Sequence, residues 1–227
     1  MPLRVGHWGG GDIWRITSGE FPSNAYICGM GNGQAILIDG GLDALSFDCA
    51  VNKLGLVPIA MLCTHGHFDH AGSAAYFQNK YGCPFYMHGA DRKLLQASNF
   101  LLMAFKLNSR IEQPSTITTI RGGETVEIGG YPATFHATPG HTPGSCVIEF
   151  GKALFTGDTL FCKGFGLSRM PGEDPKELKR SVLTLWPMLT RERFVYPGHG
   201  SHATGYDVRT KNLALLEFLG RSDSQSL

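Results

Sequence analysis

Residues 59–82 read IAMLCTHGHFDHAGSAAYFQNKYG. A short apolar run of the buried-strand type (59–64) leads into a histidine-rich loop, and a helical stretch (71–82) closes on Gly82, a C-terminal stop. The chain has 9 histidines, and three of them, with one aspartate, fall between His65 and His70. A polar surface turn has no use for that density. In an extended loop alternate side chains point the same way. His65 and His67 can thus face one metal ion, while Asp69 and His70, past the bend, face another. Imidazole and carboxylate donors suit zinc, iron or manganese, and without any CxxC pair a cysteine-rich structural site is not the reading.

Working outward, strands are expected at 12–17, 24–29 and 34–39, with turns at EFPS and GMGNG, followed by a helix over 43–54. Residues 89–107 read as a helix with Leu94, Leu95, Phe100, Leu101, Met103 and Phe105 available for burial. With Met103 and Phe105 it could overhang the metal site as a lid, but core packing is the simpler use of its apolar face. The second half repeats the style, with strands at 124–129, 131–137, 144–150 and 152–158. Asp174 is a natural N-cap, Pro175 fits the first helical position and Glu177 would complete a capping box. A strand over 193–200 and an amphipathic helix over 206–220 follow. Each half is strands first, then strand–helix units. The pattern predicts an α/β fold of two mixed sheets packed face to face with outer helices, as a single domain over 1–227.

Three further residues stand where the histidine loop stands, at strand ends beside glycine. His141 lies in TPGHTPGS, Asp158 follows the apolar strand of LFTGD, and His199 ends VYPGHG. One strand-end histidine is ordinarily a surface residue. Seven such positions in the order HxHxDH, H, D, H are hard to explain except as a metal centre.

Composition narrows the function. Of 227 residues, 42% are hydrophobic and 17% charged, the composition of a globular chain, with a net charge of +1. The basic residues form no stripe, so nucleic acid is not an expected partner. No apolar run approaches a membrane-spanning length, and the N-terminal stretch lacks a signal pattern, so a cytoplasmic protein is expected. The 6 cysteines are spread singly, most of them expected as small buried hydrophobes in a reducing compartment.

Together THGHFDHAG, TPGHTPGS, FTGDTLF and YPGHG resemble the metallo-β-lactamase superfamily, and within it the glyoxalase II (hydroxyacylglutathione hydrolase) branch. The resemblance runs from AILIDGG to about Tyr206 and implies the four-layer αβ/βα sandwich. It also implies two divalent metal ions, zinc first, with iron or manganese as alternatives. His65, His67 and His141 would hold one ion, Asp69, His70 and His199 the other, and Asp158 would bridge them. Asp39, in LIDGG, would support the site from behind. The implied reaction is attack of a metal-bound hydroxide on an acyl carbon, with Asp69 as the protein base and no further acid evident near the cluster.

A small-molecule thioester of glutathione or coenzyme A, or an acyl-carrier protein, is the implied partner. A mononuclear iron dioxygenase of the persulfide type and a lactonase are the alternatives. Residues 200–227 have room for one helix and a tail, which implies a compact member lacking the C-terminal helical glutathione-binding domain. Where the branch has a GCGR-type loop, this chain has CKGFGLSRMPG. Lys163 and Arg169 are candidate anion contacts there, and Cys162 is a packing residue. There is no GxSxG elbow for a covalent route. His7, His88, His136 and His202 match no ligand position, and Trp8 and Trp14 are expected in the core.

Overall fold

A computed structural model describes residues 1–168 and 170–221; Arg169 and its expected anion contact lie outside the described residues. Strands β1 (Leu3–His7), β2 (Asp12–Ser18), β3 (Ser23–Gly29), β4 (Gln34–Ile38), β5 (Val57–Leu62), β6 (Phe85–His88) and β7 (Thr118–Ile120) form a seven-stranded sheet in sequence order. It is antiparallel up to β4 and parallel beyond. Strands β8 (Glu124–Ile128), β9 (Tyr131–Ala137), β10 (Cys146–Phe150), β11 (Ala153–Gly157), β12 (Phe194–Pro197) and β13 (Ala203–Thr204) form a six-stranded sheet, in which β11 and β12 are parallel and the other pairs antiparallel.

Strand alternation builds the layers. Along β4, Ile36 and Ile38 enter the core between the sheets, while Ala35 and Leu37 face the helices. On the other sheet Ile148, Phe155 and Tyr196 meet that shared core, and Val147, Leu154 and Val195 turn outward. Helices α1 (Ala44–Lys53), α2 (Phe68–Ala71), α3 (Ala74–Tyr81), α4 (Arg92–Gln96) and α5 (Ser98–Ala104) belong to the first outer layer. Helices α6 (Pro175–Leu185), α7 (Gly205–Lys211) and α8 (Leu213–Leu219) form the other. A sheet buried on both faces needs continuous apolar strands such as QAILI, and each large side chain so buried is worth about 1.5–3 kcal/mol. The architecture is the expected sandwich.

Local expectations fared unevenly. Gly82 ends α3 in the left-handed conformation, φ 67°, and its N–H reaches Gln78 O at 2.9 Å. Asp174 caps α6 by accepting from the N–H groups of Lys176 and Glu177, but the capping box is incomplete. The Asp174 N–H donates to Gly140 O at 2.7 Å, and Glu177 pairs with Arg180 instead. The helix expected over 89–107 is divided into a 3₁₀ turn, α4 and α5. Its Phe100, Met103 and Phe105 are exposed, so the core-packing expectation fails for them. The helix over 206–220 breaks at Asn212, whose side chain accepts from Leu215 N–H and Gly164 N–H. Strands β1, β6, β7 and β13 are too short or too exposed at their edges to carry a clear periodic signal. No helix among the described residues is long and apolar enough to cross a membrane. The cysteines are unpaired.

Candidate metal centre

Parallel neighbours carry their C-terminal ends to the same edge of a sheet. The ends of β4 and β5 bring Asp39 and the 63–70 loop together, and the ends of β11 and β12 bring Asp158 and His199. His141 joins them from the connection between β9 and β10. A hydrogen bond from Cys146 N–H to Thr64 O, 2.8 Å, ties the two sheets at this point. All seven residues singled out in the sequence converge here.

Their donor atoms fall into three overlapping groups, each within 4.8 Å: His65, His67 and His141; His65, His70 and Asp158; Asp69, His70 and His199. The His67 Nδ1 atom lies 3.1 Å from His65 Nε2 and 3.0 Å from His141 Nε2. Three nitrogens about 2.0–2.1 Å from a tetrahedral ion would stand about 3.3 Å apart, close to this spacing. Asp158 sits between the sets, its Oδ2 3.7 Å from His141 and 3.3 Å from His199, its Oδ1 3.4 Å from His70. Asp69 Oδ2 is 3.4 Å from His70 Nε2 and 3.5 Å from His199 Nε2. His70 Nε2 and Asp158 Oδ1 are buried with no hydrogen-bond partner among the described residues. Groups of that kind are costly to bury unless a cation satisfies them, so the residues fit a divalent metal. Because α2 starts at Phe68, His65 and His67 lie on the extended stretch before the bend and Asp69 and His70 past it, although His65 also falls in one group with His70 and Asp158.

The ring orientations are set from behind. His70 Nδ1 meets Asp39 Oδ2 at 2.9 Å, His141 Nδ1 meets Gly166 O at 3.1 Å, and His199 Nδ1 meets Pro22 O at 3.1 Å. Each Nδ1–H donated to an oxygen leaves Nε2 as the lone-pair donor facing the centre. Asp39 has φ 49°, a conformation costing of order 1–3 kcal/mol outside glycine. Its carboxylate compensates by accepting from Thr64 N–H and Thr64 Oγ1, both at 2.8 Å, and by contacting His70. Asp39 therefore supports the site from behind, as expected. At Gly198 an added Cβ would lie 2.2 Å from Asp158 Oδ1 and 2.5 Å from His70 Cε1. This explains why PGHG places glycine before its histidine.

Two carboxylates had no sequence signal. Asp91, fully buried, accepts from Gly66 N–H (2.8 Å), Gly144 N–H (2.7 Å) and Thr142 Oγ1 (2.7 Å). It clamps the turn between His65 and His67 to the loop of His141. A Cβ at Gly144 would meet its carboxyl carbon at 2.6 Å. Glu173 Oε1 lies 3.6 Å from His141 Nδ1 and accepts from Ser168 N–H at 2.8 Å. The expectation that no further acid stands near the cluster is thus corrected, although Glu173 sits behind His141. Lys163 is exposed and does not line the cleft.

The donors differ electrostatically. Burial, with His141 beside it, pushes His67 down to about 4, and burial with His70 and His141 holds His65 well below its ordinary value. Burial opposes charge on His199 and His70 as well. There the carboxylates outweigh it: Asp158 and Asp69 carry His199 up to about 9, and Asp69, Asp158 and Asp39 hold His70 well above 6.5. Burial likewise opposes ionised Asp158, but His70 and His199 hold it well below the carboxylate range.

The donors form the floor of a cleft of about 320 Å³, in which His67, Asp69, His141, Asp158 and His199 are accessible. Its sides are aromatic and aliphatic.

Comparison with known proteins agrees with this geometry. The chain is 32% identical over 211 residues to the Mycobacterium tuberculosis protein Rv2581c, covering 85% of this chain and 92% of that one. It is 32% identical over 174 residues to a hydroxyacylglutathione hydrolase of Anaeromyxobacter dehalogenans, covering 77% of this chain and 60% of that enzyme. Among solved structures it is similar to BLEG-1 B3 metallo-beta-lactamase (TM-score 0.80, 28% identity, 89% of this chain and 99% of that one). TTHA1623 in a di-iron-bound form is also similar (TM-score 0.75, 32% identity, 84% and 94%). The family model described as metallo-beta-lactamase superfamily matches residues 18–205, and the chain belongs to that superfamily.

Proposed function

We propose that the chain is a binuclear metal-dependent hydrolase of acyl thioesters, similar to glyoxalase II. The observation that carries this reading is the set of seven donors, with Asp158 between a three-histidine group and an Asp69–His70–His199 group. His65, His67 and His141 would hold one ion, Asp69, His70 and His199 the other, and Asp158 would touch both. Such ions, when bound, supply Lewis acidity toward a carbonyl and bring the pKa of a bound water from ~16 toward ~7.

Asp69 lines the cleft beside the accessible donors and is the residue to take up or orient a proton as water adds to the acyl carbon. Closure to the carboxylate breaks the C–S bond. A thiolate leaves readily enough that no protein acid is required, and Glu173, screened by His141, is not placed to act as one. Asp39, Asp91 and the carbonyls of Gly166 and Pro22 keep the imidazoles aimed. The hydroxyacylglutathione hydrolase relative supports a thioester substrate, and the di-iron form of TTHA1623 supports iron as an alternative to zinc. The partner is a small-molecule thioester or an acyl-carrier protein.

The test is thiol release from S-lactoylglutathione and from an acyl-pantetheine thioester, using zinc- or iron-loaded protein with a His67→Ala control. Metal-dependent release from either supports the reading, and the preferred thiol identifies the carrier. Oxygen consumption with a persulfide, without thioester hydrolysis, would replace it with the dioxygenase alternative.

A further inference from the structure

The cleft above the donors has two walls of the same character. On one side Phe21, in the β2–β3 turn, packs edge-on against Phe68 with ring centroids 5.5 Å apart, and Phe105, just past α5, stands 6.1 Å from Phe68. On the other, the segment after β11 supplies Phe161, Phe165 and Leu167. Phe165 is backed by Phe218 at 4.2 Å, and Phe161 lies edge-on to His199 at 5.9 Å. Phe21 and Phe105 are 37% and 43% exposed. Facing phenylalanines left open to water beside a polar metal-binding floor lose hydrophobic stabilisation that an apolar ligand would restore.

At about 320 Å³ the cleft is at the small end of ligand sites, which run from about 300 to 1,000 Å³. It has room for one arm of a substrate. Glutathione, coenzyme A and phosphopantetheine are polar or anionic, and no lysine or arginine lines the cleft among the described residues. Among the described residues the lining therefore favours an apolar arm over a polar or anionic one.

We propose, on the basis of the thioester reading above, that the two aromatic walls bind an apolar acyl group of the substrate while the carrier stays outside the cleft. Phe21 and Phe105 are then specificity-determining residues. This is a different preference from that for a short hydroxyacyl group.

The experiment uses metal-loaded protein and N-acetylcysteamine thioesters carrying acetyl, butanoyl, hexanoyl and lactoyl groups, with thiol release as the readout. In parallel, calorimetry measures binding of acetate, butanoate and hexanoate, which needs no turnover. Full burial of a methylene is worth about fourfold, so kcat/KM is expected to climb by up to that factor per CH₂. Lactoyl is expected to fall below butanoyl, and carboxylate affinity to follow the same order. Phe105→Ala and Phe21→Ala should each lower the hexanoyl-to-acetyl ratio by about tenfold, the scale of one buried aromatic contact. Hydrolysis of all four esters with a flat or falling series, or with lactoyl best, overturns the proposal and leaves the thioester reading standing. No hydrolysis, with hexanoate still binding tightest, removes the thioester reading while supporting an apolar acyl site. No hydrolysis and no chain-length dependence overturns both.

Discussion

The three-histidine side of the centre and the Asp69–His70–His199 side both rely on histidines, but those histidines hold protons differently. His65 and His67 are packed among other histidines and kept neutral, His67 down to about 4. His199, among carboxylates, is carried up to about 9, and its side chain is 32% exposed. One side stands ready for a cation at neutral pH, and the other must give up protons to receive one. The identity of a ligand is thus set by residue type, but its readiness is set by neighbours.

The largest effect expected is from removing a donor on the ready side. His67→Ala or His141→Ala should lower hydrolysis by at least about 10³-fold, the several kcal/mol an ion contributes to catalysis, with loss of one bound metal equivalent by elemental analysis. Retention of two equivalents would break the assignment.

Next are the carboxylates behind each side. Asp91→Asn should weaken only the tighter equivalent, and Asp39→Asn only the other, each by about 10–100-fold in chelator competition. If both variants weaken the same equivalent, the two sides are not separable. Proton competition comes third. Because His199 must lose a proton near pH 9 and His70, beside it, is also held well above its ordinary value, affinity of their side should rise at least about tenfold per pH unit from 7 to 9, and the other side's should not. For chelator-treated protein the sign reverses. The raised His199 and His70 contribute stability fully present below about pH 6.5, lost as pH rises through about 9. Thermal melts at pH 6 and 10 check it.

The smallest effect lies away from the centre. Asp48 accepts from Tyr81 at 2.6 Å and pairs with Lys80, and these partners, against the opposing effect of burial, hold it below the usual carboxylate value. Its stabilisation is present above about pH 4 and lost below. Asp48→Asn should cost about 1 kcal/mol in denaturant melts and leave both metal equivalents intact.

The sandwich was legible in the sequence because strand alternation is local, and four of the candidate donors because the HxHxDH spacing is local. His141, Asp158 and His199 stood out only as strand-end residues beside glycine, which the fold brings to the same place. The orienting contacts were not legible. Asp91 reaches Gly66 and Gly144 from a short turn after β6, a strand whose periodicity is too brief to read. Glu173 approaches His141 only because the loop before α6 folds back over Gly140. The 89–107 segment misled for a related reason. Its helical spacing is real, but Phe105 lines the cleft, and spacing alone cannot tell a core face from a cleft wall.

If two ions act together in thioester hydrolysis, stepwise zinc titration of chelator-treated protein, with thiol release measured anaerobically at each step, will show it. Activity appearing with the second equivalent and saturating at two is the expected result. Full activity at one equivalent, or none at two without oxygen, would contradict it.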